Sequence, residues 1–453
     1  MGINYSMKID ANNYLIVGAG VSGLSLVEYL VDQGGNTRIM DTRELPPNSK
    51  RIKSLLPNTH ISFGRMQQEW IEQADVILLS PGISPHEPEF QQAAACGTEV
   101  IGDIELFARN VTKPYIAITG SNGKSTVTML VRDILASQGL RVQACANIGE
   151  PALNVINNEV DIFVLELSSF QLETCKSLAP LAAVVLNVSD DHLDRHESIE
   201  QYAEIKSSIY KDAAHKIMPR DKQALKYLSN YKSDLSFGID IAQDENYGVI
   251  EDETGRWLVQ GDRKIIQSSD LALLGSSGEL NVLAALALTQ SLIKDESKAV
   301  EAIKQFKGLP HRCELIIEHN NVKWIDDSKG TNVGATVSAI QGLGQSLILI
   351  LGGVHKGGSL DDLCAAIKDR VSHVIVFGRD RQVFIDALRE HVDIKEASSL
   401  QQCVDYAYQL AKPAQAVLFS PACASFDMFV NYIERGLAFK AAVLAKVNGE
   451  SHG

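Results

Sequence analysis

Short runs of apolar residues, rich in Val and Ile, alternate along the chain with segments whose apolar positions recur at helical spacing. The runs are apolar at successive positions, which is typical of strands buried on both faces of a parallel sheet. They predict three groups of strands: 14–17, 37–40 and 75–79, then 115–118, 161–165 and 183–186, and finally 347–351, 373–377 and 416–419. Because helical segments separate these strands, the pattern predicts α/β architecture in each of three parts of the chain.

Two breaks in this pattern predict the domain boundaries. A polar stretch at 110–114 ends in Pro before a new strand, and KGLPHR at 307–312 places Gly and Pro together, as hinges often do. We therefore expect domains at 1–112, 113–308 and 309–453. Each should hold a mostly parallel sheet flanked by helices, Rossmann-like in the first and third domains and of the P-loop type in the central one. The stretch 222–269 is polar and irregular, and we expect small strands there.

Composition narrows the function classes. The formal net charge is −14, which excludes nucleic-acid binding through bulk electrostatics and requires positive groups to be gathered locally for any anionic substrate. Seven cysteines without a CxxC pair are typical of reduced thiols in the cytosol. Neither a signal peptide nor an apolar run of the ~18 residues needed to cross a bilayer is evident. We expect a cytoplasmic monomer without membrane insertion.

The first chemical motif is GAGVSG at 18–23, which fits GxGxxG between a strand and a helix. Its glycines allow a tight turn and a close approach to phosphate, and the helix N-terminus supplies free N–H groups. Asp41 ends the next predicted strand, as in dinucleotide-binding units. The motif alone leaves NAD, FAD and a UDP group as possible ligands.

The second motif is TGSNGKST at 119–126, also between a strand and a helix. Its backbone N–H groups are suited to cradle phosphates, Lys124 to reach the outer phosphates and Ser125 to bind Mg²⁺. Only two residues separate Gly120 from Gly123, so the motif departs from GxxxxGK[ST] and from the general motor and kinase pattern.

Further polar residues follow later strands of the same segment. Glu166 ends one strand, and a carboxylate there, in the same domain as a P-loop, predicts a Mg²⁺ ligand. His192 lies in NVSDDHLD at 187–194, which predicts a role at a second metal, whereas Asp190, Asp191 and Asp194 are suited equally to a metal or to a helix cap. Spacing alone makes Lys206 a solvated lysine on a helix.

The third segment carries four polar motifs at strand ends or loops. They are LPHR at 309–312, DDSKGTN at 326–332, GGVHK at 352–356 and SPACASFD at 420–427. Their Lys, Arg, Ser and Thr side chains are suited to clamp carboxylates and phosphates with charge-assisted hydrogen bonds.

In this order along the chain, TGSNGKST, ELSSFQLE, NVSDDHLDRH, GLPHR, DDSKGTN, GGVHKGG and SPACASFD resemble the Mur ligase family over essentially the whole sequence. DDSKGTN with SPACASFD, SPGI at 80–83 and DTR at 41–43 are similar to the member that adds D-glutamate to UDP-N-acetylmuramoyl-L-alanine. The resemblance implies an ATP- and Mg²⁺-dependent amide ligase acting through an acyl phosphate, in the peptidoglycan synthesis on which cell shape and division depend.

The resemblance also implies residue roles. Catalysis would involve Lys124, Glu166, His192 and Lys206. ATP would be bound by Gly120, Asn122, Gly123, Lys124, Ser125, Thr126, Asn281, Arg312 and Asp327. The UDP substrate would be bound by Gly20, Val21, Ser22, Asp41, Thr42, Ser80, Gly82, Asn147 and His192. D-glutamate would be bound by Lys329, Thr331, Lys356, Ser425 and Phe426, and magnesium by Ser125, Glu166, His192 and a carbamylated Lys206.

The chain departs from the family at two places. The family usually has HNxxN where this sequence has SGELN at 277–281, so only Asn281 carries over. Phe426 stands where the family usually has Leu.

Three other functions remain open from sequence. A nucleotide-binding oxidoreductase would explain GxGxxG and Asp41 but not the P-loop. An ATP-driven switch without catalysis would need no amino-acid clamp. A related Mur or folate-type ligase would use a different amino acid.

Overall fold

The computed structural model describes residues 13–189, 195–344, 346–368 and 370–450 and contains three α/β domains, as the apolar pattern predicts. The first sheet is wholly parallel, in the order β3-β2-β1-β4-β5, with strands β1 Asn13–Val17, β2 Asn36–Asp41, β3 Ile61–Phe63, β4 Val76–Leu79 and β5 Glu99–Gly102. Its helices are α1 Val21–Asp32, α2 Ser49–Leu55, α3 Gln68–Gln73, α4 Pro88–Ala95 and α5 Asp103–Asn110. The strand order reverses between β1 and β4, where ligands bind in open sheets of this kind.

The central sheet has nine strands in the order β14-β13-β12-β11-β10-β9-β6-β8-β7. They are β6 Tyr115–Thr119, β7 Val142–Ala146, β8 Ile162–Glu166, β9 Ala182–Val185, β10 His215–Pro219, β11 Leu235–Phe237, β12 Tyr247–Asp252, β13 Gly255–Gln260 and β14 Arg263–Gln267. The helices are α6 Lys124–Ser137, α7 Ala152–Val155, α8 Ser169–Leu172, α9 Ile199–Ser207, α10 Lys222–Leu228, α11 Gly275–Thr289 and α12 Glu296–Gln305. Because β6 is parallel to both β8 and β9, the loops at their carboxyl ends lie side by side.

The third sheet has the order β15-β16-β20-β17-β18-β19, with β15 antiparallel and the rest parallel. Its strands are β15 Glu314–His319, β16 Val322–Asp326, β17 Leu347–Gly352, β18 Val371–Phe377, β19 Asp393–Glu396 and β20 Ala416–Phe419. Its helices are α13 Val333–Gly342, α14 Asp361–Lys368, α15 Arg381–Leu388, α16 Leu400–Leu410 and α17 Tyr432–Glu450. Among the described helices, none combines the length and apolar character needed to cross a membrane.

All nine predicted strands are present, with ends that differ by at most two residues. The irregular stretch 222–269 holds four short strands, β11 to β14, of which β12 to β14 are joined antiparallel, and also the helix α10, which was not predicted. In β12 the residues change from buried to exposed along the strand. Strands that are only partly covered carry polar residues and therefore lack the apolar run that marks a parallel strand.

Buried polar contacts join the first and central domains. The Glu105 carboxylate accepts hydrogen bonds from the backbone N–H groups of Lys176 (2.6 Å) and Ser177 (2.8 Å) and from the Ser177 hydroxyl (2.6 Å). The Gly102 N–H donates to the Thr174 carbonyl at 3.3 Å, and a Cβ at Gly102 would overlap the Thr174 hydroxyl. These contacts fix the first sheet against the segment that follows β8.

The central and third domains meet through α11 and α13. A Cβ at Gly275 would overlap the Gly342 carbonyl, so only glycine allows this approach. The Ser277 and Ser338 hydroxyls lie 2.9 Å apart in a hydrogen bond. Within the central domain, a Cβ at Gly278 would lie 2.7 Å from the Leu273 carbonyl oxygen, so no larger side chain fits at 278 without a shift of the backbone.

Candidate active site

The P-loop between β6 and α6 follows a strand of the central sheet that β8 and β9 flank on either side. Gly120 and Gly123 have φ of 152° and 84°, which non-glycine residues rarely adopt. The Lys124 amine donates to the carbonyls of Gly120 (2.8 Å) and Ser121 (2.9 Å), so it folds back over the loop. The free N–H groups at the start of α6 and this amine form an anion-binding cradle.

The loop after β9 is hydrogen-bonded to the P-loop and stabilises it. The Asn187 side chain accepts from the Asn122 N–H at 2.8 Å and donates to the Asn122 carbonyl at 3.1 Å. The Ser121 hydroxyl donates to the Ser189 carbonyl (3.0 Å) and accepts from the Ser189 N–H (2.9 Å). Asn187 was not among the predicted site residues, although it opens the NVSDDHLD motif. His192, together with Asp190, Asp191 and Asp194, lies outside the described residues.

Glu166 ends β8 directly beside this loop, and its side chain is buried. Oε1 accepts a hydrogen bond from the Asn147 amide at 2.6 Å, whereas Oε2 is buried and has no hydrogen-bond partner among the described residues. Burying a carboxylate oxygen without a partner is costly. This oxygen is therefore suited to a cation, and Asn147 orients it.

Lys206 is not the solvated lysine that its spacing predicts, because it is only 1% exposed. Its amine donates to the Gly120 carbonyl at 3.0 Å and lies 3.4 Å from the Thr119 hydroxyl. The amine of Lys124 contacts the same Gly120 carbonyl, so two lysine side chains converge on one oxygen. Sequence spacing gives no sign of this, because only the fold brings Tyr202 and Ala203 of α9 into one buried apolar cluster with residues of β6 and β9.

The third domain reaches the P-loop through Arg312. The Arg312 guanidinium donates to the Ser125 hydroxyl at 2.8 Å, across the interface between the two domains. The neighbouring His311 has a positive φ of 63°, and its Nδ1 lies 2.6 Å from an oxygen of Asp326 at the end of β16. This buried pair holds the loop from which Arg312 extends.

Asp327 is buried beneath the same loop. Its carboxylate accepts from the Ser420 hydroxyl at 2.7 Å and from the Cys313 N–H at 3.2 Å. Burial raises the pKa of Asp327 to about 7, against the effect of the Ser420 hydrogen bond. Asp327 thus joins the loop after β16 to the loop after β20 and to the segment before β15.

Lys329 carries a cation into the same region. Burial lowers the pKa of Lys329 to about 8, the positive charges of Arg312, Lys124 and Lys356 add to that shift, and Glu166 opposes it. The Lys329 amine lies 4.4 Å from the centre of the Tyr432 ring. Three further cationic side chains, from the central and third domains, and the Glu166 carboxylate thus lie within electrostatic reach of Lys329. Such a concentration of positive charge is suited to a polyanionic ligand.

The remaining predicted residues of the third domain lie on neighbouring loops. Val354 and Ala424 exchange two backbone hydrogen bonds of 2.9 Å, which join the loop of Lys356 to that of Ser425. Thr331 follows Lys329 in the loop after β16, and its N–H donates to the Lys329 carbonyl at 2.8 Å. Phe426 is 76% exposed, so its ring makes little contact with the Lys329 region in this structure.

Arg435 ties these loops together and was not predicted. Its guanidinium is buried and donates to the Ser328 carbonyl (2.7 Å), the Ser328 hydroxyl (3.0 Å) and the Cys423 carbonyl (3.0 Å). Burial lowers the pKa of Arg435 to about 10. Nothing in its sequence neighbourhood marks it beyond its position after SPACASFD.

The glycine-rich loop of the first domain lies after β1. A Cβ at Gly23 would overlap the Gly18 carbonyl, so this residue must be glycine. The Asp41 carboxylate accepts from the Ala19 N–H at 2.7 Å and binds Arg43 through both oxygens. The hydrogen bond from Arg43 lowers the pKa of Asp41 to about 2. Asp41 therefore stabilises the loop as a permanent anion.

The other predicted residues of the first domain surround this loop. The Ser80 hydroxyl donates to the Gly18 carbonyl at 2.9 Å, which joins the loops after β1 and β4 at the switch point. Ser22 lies near the buried Asp103 at the start of α5 and lowers the pKa of that carboxyl, against the larger effect of burial. The predicted residues Val21, Thr42 and Gly82 are exposed.

Of the remaining ATP-binding candidates, Asn281 is placed at the P-loop. Its amide oxygen lies 2.7 Å from where a Cβ at Gly123 would be. Thr126 is buried in the first turn of α6. Ser277 bonds Ser338 rather than facing the P-loop, and Gly278 has no side chain to offer. Ser277 thus fits the packing of α11 on the third domain, whereas Gly278 fits the close approach of the Leu273 carbonyl within the central domain.

Comparisons with known proteins agree with this arrangement. The family descriptions "Mur ligase MurD-like, N-terminal domain", "Mur ligase middle domain" and "Mur ligase, glutamate ligase domain" match residues 12–102, 118–289 and 311–423. Among curated proteins, the UDP-N-acetylmuramoylalanine--D-glutamate ligases of Methylobacillus flagellatus and Acinetobacter baylyi are each 41% identical over 442 residues, covering 96% of this chain and 98% of theirs.

Solved structures share the fold at low identity. The UDP-N-acetylmuramate-alanine ligase MurC of Thermotoga maritima has a TM-score of 0.57 at 16% identity, covering 96% of this chain and 100% of that one. The MurF ligase of the same organism, solved in complex with ADP, also has a TM-score of 0.57 at 16% identity, covering 98% of each chain. Three successive domain matches and near-full-length relatives at 41% identity place this chain in the Mur ligase family.

Proposed function

We propose that this protein is an ATP-dependent ligase that joins D-glutamate to UDP-N-acetylmuramoyl-L-alanine during peptidoglycan precursor synthesis. The observation that carries the proposal is the convergence of Lys124, Lys206 and Glu166 beside a loop that the third domain contacts through Arg312. The names of the near-full-length relatives support the choice of D-glutamate. We further propose that it acts in the cytoplasm as a monomer, with domains at 1–112, 113–308 and 309–453.

In this proposal the three domains divide the substrates among them. The first domain binds the UDP group at the glycine-rich loop, where Gly20, Val21 and Ser22 offer backbone and hydroxyl donors. Asn147 lies on the path from there to Glu166, since its amide already contacts that carboxylate. The P-loop binds ATP, and the loops that carry Lys329, Lys356 and Ser425 bind D-glutamate.

Magnesium fits this site because Glu166 Oε2 is buried without a hydrogen-bond partner among the described residues. The residues that would hold it are Ser125, Glu166, His192 and Lys206, the last as a carbamate. A carbamate would replace a cation by an anion beside Lys124, which relieves the repulsion between two lysines on one carbonyl. When bound, Mg²⁺ supplies positive charge to phosphate oxygens.

The reaction is a phosphoryl transfer followed by an acyl transfer. An oxygen of the alanyl carboxylate attacks the γ-phosphorus of ATP, the bond to ADP breaks, and an acyl phosphate forms. The amine of D-glutamate then attacks the carbonyl carbon, inorganic phosphate leaves, and the amine loses a proton. Lys124 and Arg312 would stabilise the negative charge that builds up where two anions meet. Contact between the central and third domains would keep water from hydrolysing the acyl phosphate.

Phosphate release with UDP-N-acetylmuramoyl-L-alanine and ATP, measured across L- and D-amino acids, tests the proposal. We expect release with D-glutamate and little with L-glutamate, L-alanine or diaminopimelate. Release that favours another amino acid would identify a related ligase instead, and release that ignores the amino acid would identify an ATP-driven switch.

The lowered pKa of Lys329 predicts an alkaline limb in the rate. If the Lys329 cation attracts D-glutamate, kcat/KM for D-glutamate loses that contribution as the pH rises through about 8, where the free enzyme loses the proton. Lys329→Arg should move this limb to higher pH, because a guanidinium stays charged there. We would measure kcat/KM from pH 6.5 to 10 in both proteins; superimposable normalised profiles would contradict a charge role for Lys329.

A further inference from the structure

Arg195 lies between the first and central domains, and the proposed function assigns it no role. One of its terminal nitrogens, Nη2, donates to the Glu173 carboxylate at 2.7 Å and to the Ile83 carbonyl at 3.0 Å. The other, Nη1, lies 3.5 Å from the Gly82 carbonyl oxygen. The guanidinium therefore joins the loop after β4 in the first domain to the segment after β8 in the central domain.

The surroundings hold this guanidinium in one position. Its side chain is 15% exposed and that of Glu173 is 3% exposed. The guanidinium carbon lies 5.1 Å from the centre of the Phe170 ring. The other Glu173 oxygen lies 3.4 Å from His196 Nδ1, and His196 Nε2 lies 2.9 Å from the Ser169 hydroxyl. Because the Arg195–Glu173 pair is largely shielded from water and has neighbours on both sides, its hydrogen bonds fix the orientation of the guanidinium.

The two segments that Arg195 joins are each connected to residues that are predicted to bind substrate or metal. On the first-domain side, Gly82 and Ile83 belong to the loop of Ser80, whose hydroxyl bonds the Gly18 carbonyl of the glycine-rich loop. On the central side, Glu173 follows α8, which begins three residues after the buried carboxylate of Glu166. Arg195 thus connects the loop for the UDP group to the segment for the metal.

We propose that Arg195 is a positioning residue that sets the separation between the UDP-binding loop and Glu166, and so the affinity for a substrate that must reach both. This inference rests on the proposed function. UDP alone needs only the first domain, whereas UDP-N-acetylmuramoyl-L-alanine must extend from that domain to the metal site. Loss of the bridge should therefore weaken the long ligand and leave the short one unaffected.

The test compares the affinities of UDP and of UDP-N-acetylmuramoyl-L-alanine by calorimetry in Arg195→Met, which keeps the length and apolar packing of the side chain without its donors. We expect the long ligand to bind about tenfold more weakly and UDP to bind as in the wild type. Arg195→Lys, which keeps one cationic donor, should recover part of the loss. KM for the long substrate should rise with it while KM for ATP stays unchanged.

Arg141→Met is the matched control. The Arg141 side chain donates two hydrogen bonds of 3.0 and 3.3 Å to Asp161. The two residues directly precede β7 and β8, so they lie at the amino ends of the strands, away from the loops at the carboxyl ends. This variant should leave both affinities unchanged. Equal weakening of UDP and the long ligand in Arg195→Met, or weakening of neither, would overturn the inference. A wild-type protein that binds both ligands but forms no amide would instead overturn the proposed function.

Discussion

Lys124→Ala should lose ligation by roughly 10²–10³-fold, the cost of removing one preorganised charge from a transition state that gathers negative charge. The Lys124 amine is held over the P-loop by the carbonyls of Gly120 and Ser121, so it is already placed where phosphate oxygens would lie. We would measure ADP formation that depends on both UDP-N-acetylmuramoyl-L-alanine and D-glutamate.

The control for this variant is Lys222→Ala, which removes an exposed lysine at the start of α10 in the same domain. It should behave as the wild type. Binding of UDP to Lys124→Ala should be unchanged, because the glycine-rich loop lies in another domain. A Lys124→Ala protein that turns over at near the wild-type rate would refute the role given to this lysine.

Lys206→Ala should lose activity at least about 100-fold, more than the loss of an outer-shell metal contact costs. Lys206 is buried against the Gly120 carbonyl that Lys124 also contacts, and a carbamate there would supply the anion that a metal requires. Because alanine leaves a space at this position, a short carboxylic acid added to the assay should restore part of the activity. The rate should be measured with and without that acid.

Lys211→Ala, an exposed lysine shortly after α9, serves as the control and should neither lose activity nor respond to the acid. Thermal unfolding of Lys206→Ala distinguishes a loss of fold from a loss of chemistry. Full activity of Lys206→Ala without any added acid would contradict the carbamate. A folded variant that the acid does not restore would contradict it as well.

The strands and the P-loop could be predicted because their signals are local. A strand buried on both faces must be apolar throughout, and a phosphate loop between a strand and a helix must have glycines at set positions. Glu166 could be placed for the same reason, since it directly ends such a strand. These features depend on residues adjacent in sequence.

Lys206, Arg195 and Arg435 could not be predicted from spacing, because their roles come from what the fold packs around them. The spacing around Lys206 is that of an exposed helical lysine, and only the packing of α9 in the folded domain buries its side chain. The partners of Arg195 lie 22 and 112 residues away in the chain. The buried guanidinium of Arg435 donates hydrogen bonds to two loops, one after β16 and one after β20.

The change at 277–278 shows how the structure explains a departure that sequence can only note. Ser277 bonds Ser338, and Gly278 lies so close to the Leu273 carbonyl that a larger residue would require a backbone shift. Ser277 at the start of α11 thus contacts the third domain, whereas the constraint on Gly278 lies within the central domain. Asn281, one turn later, still reaches the P-loop.

The most direct test follows oxygen through the reaction. UDP-N-acetylmuramoyl-L-alanine with both carboxylate oxygens labelled with ¹⁸O should be turned over with ATP and D-glutamate, and the products analysed by mass spectrometry. Activation of the carboxylate as an acyl phosphate predicts one ¹⁸O in the released phosphate and one in the new amide carbonyl. Phosphate that carries no label while the amide forms would contradict that activation.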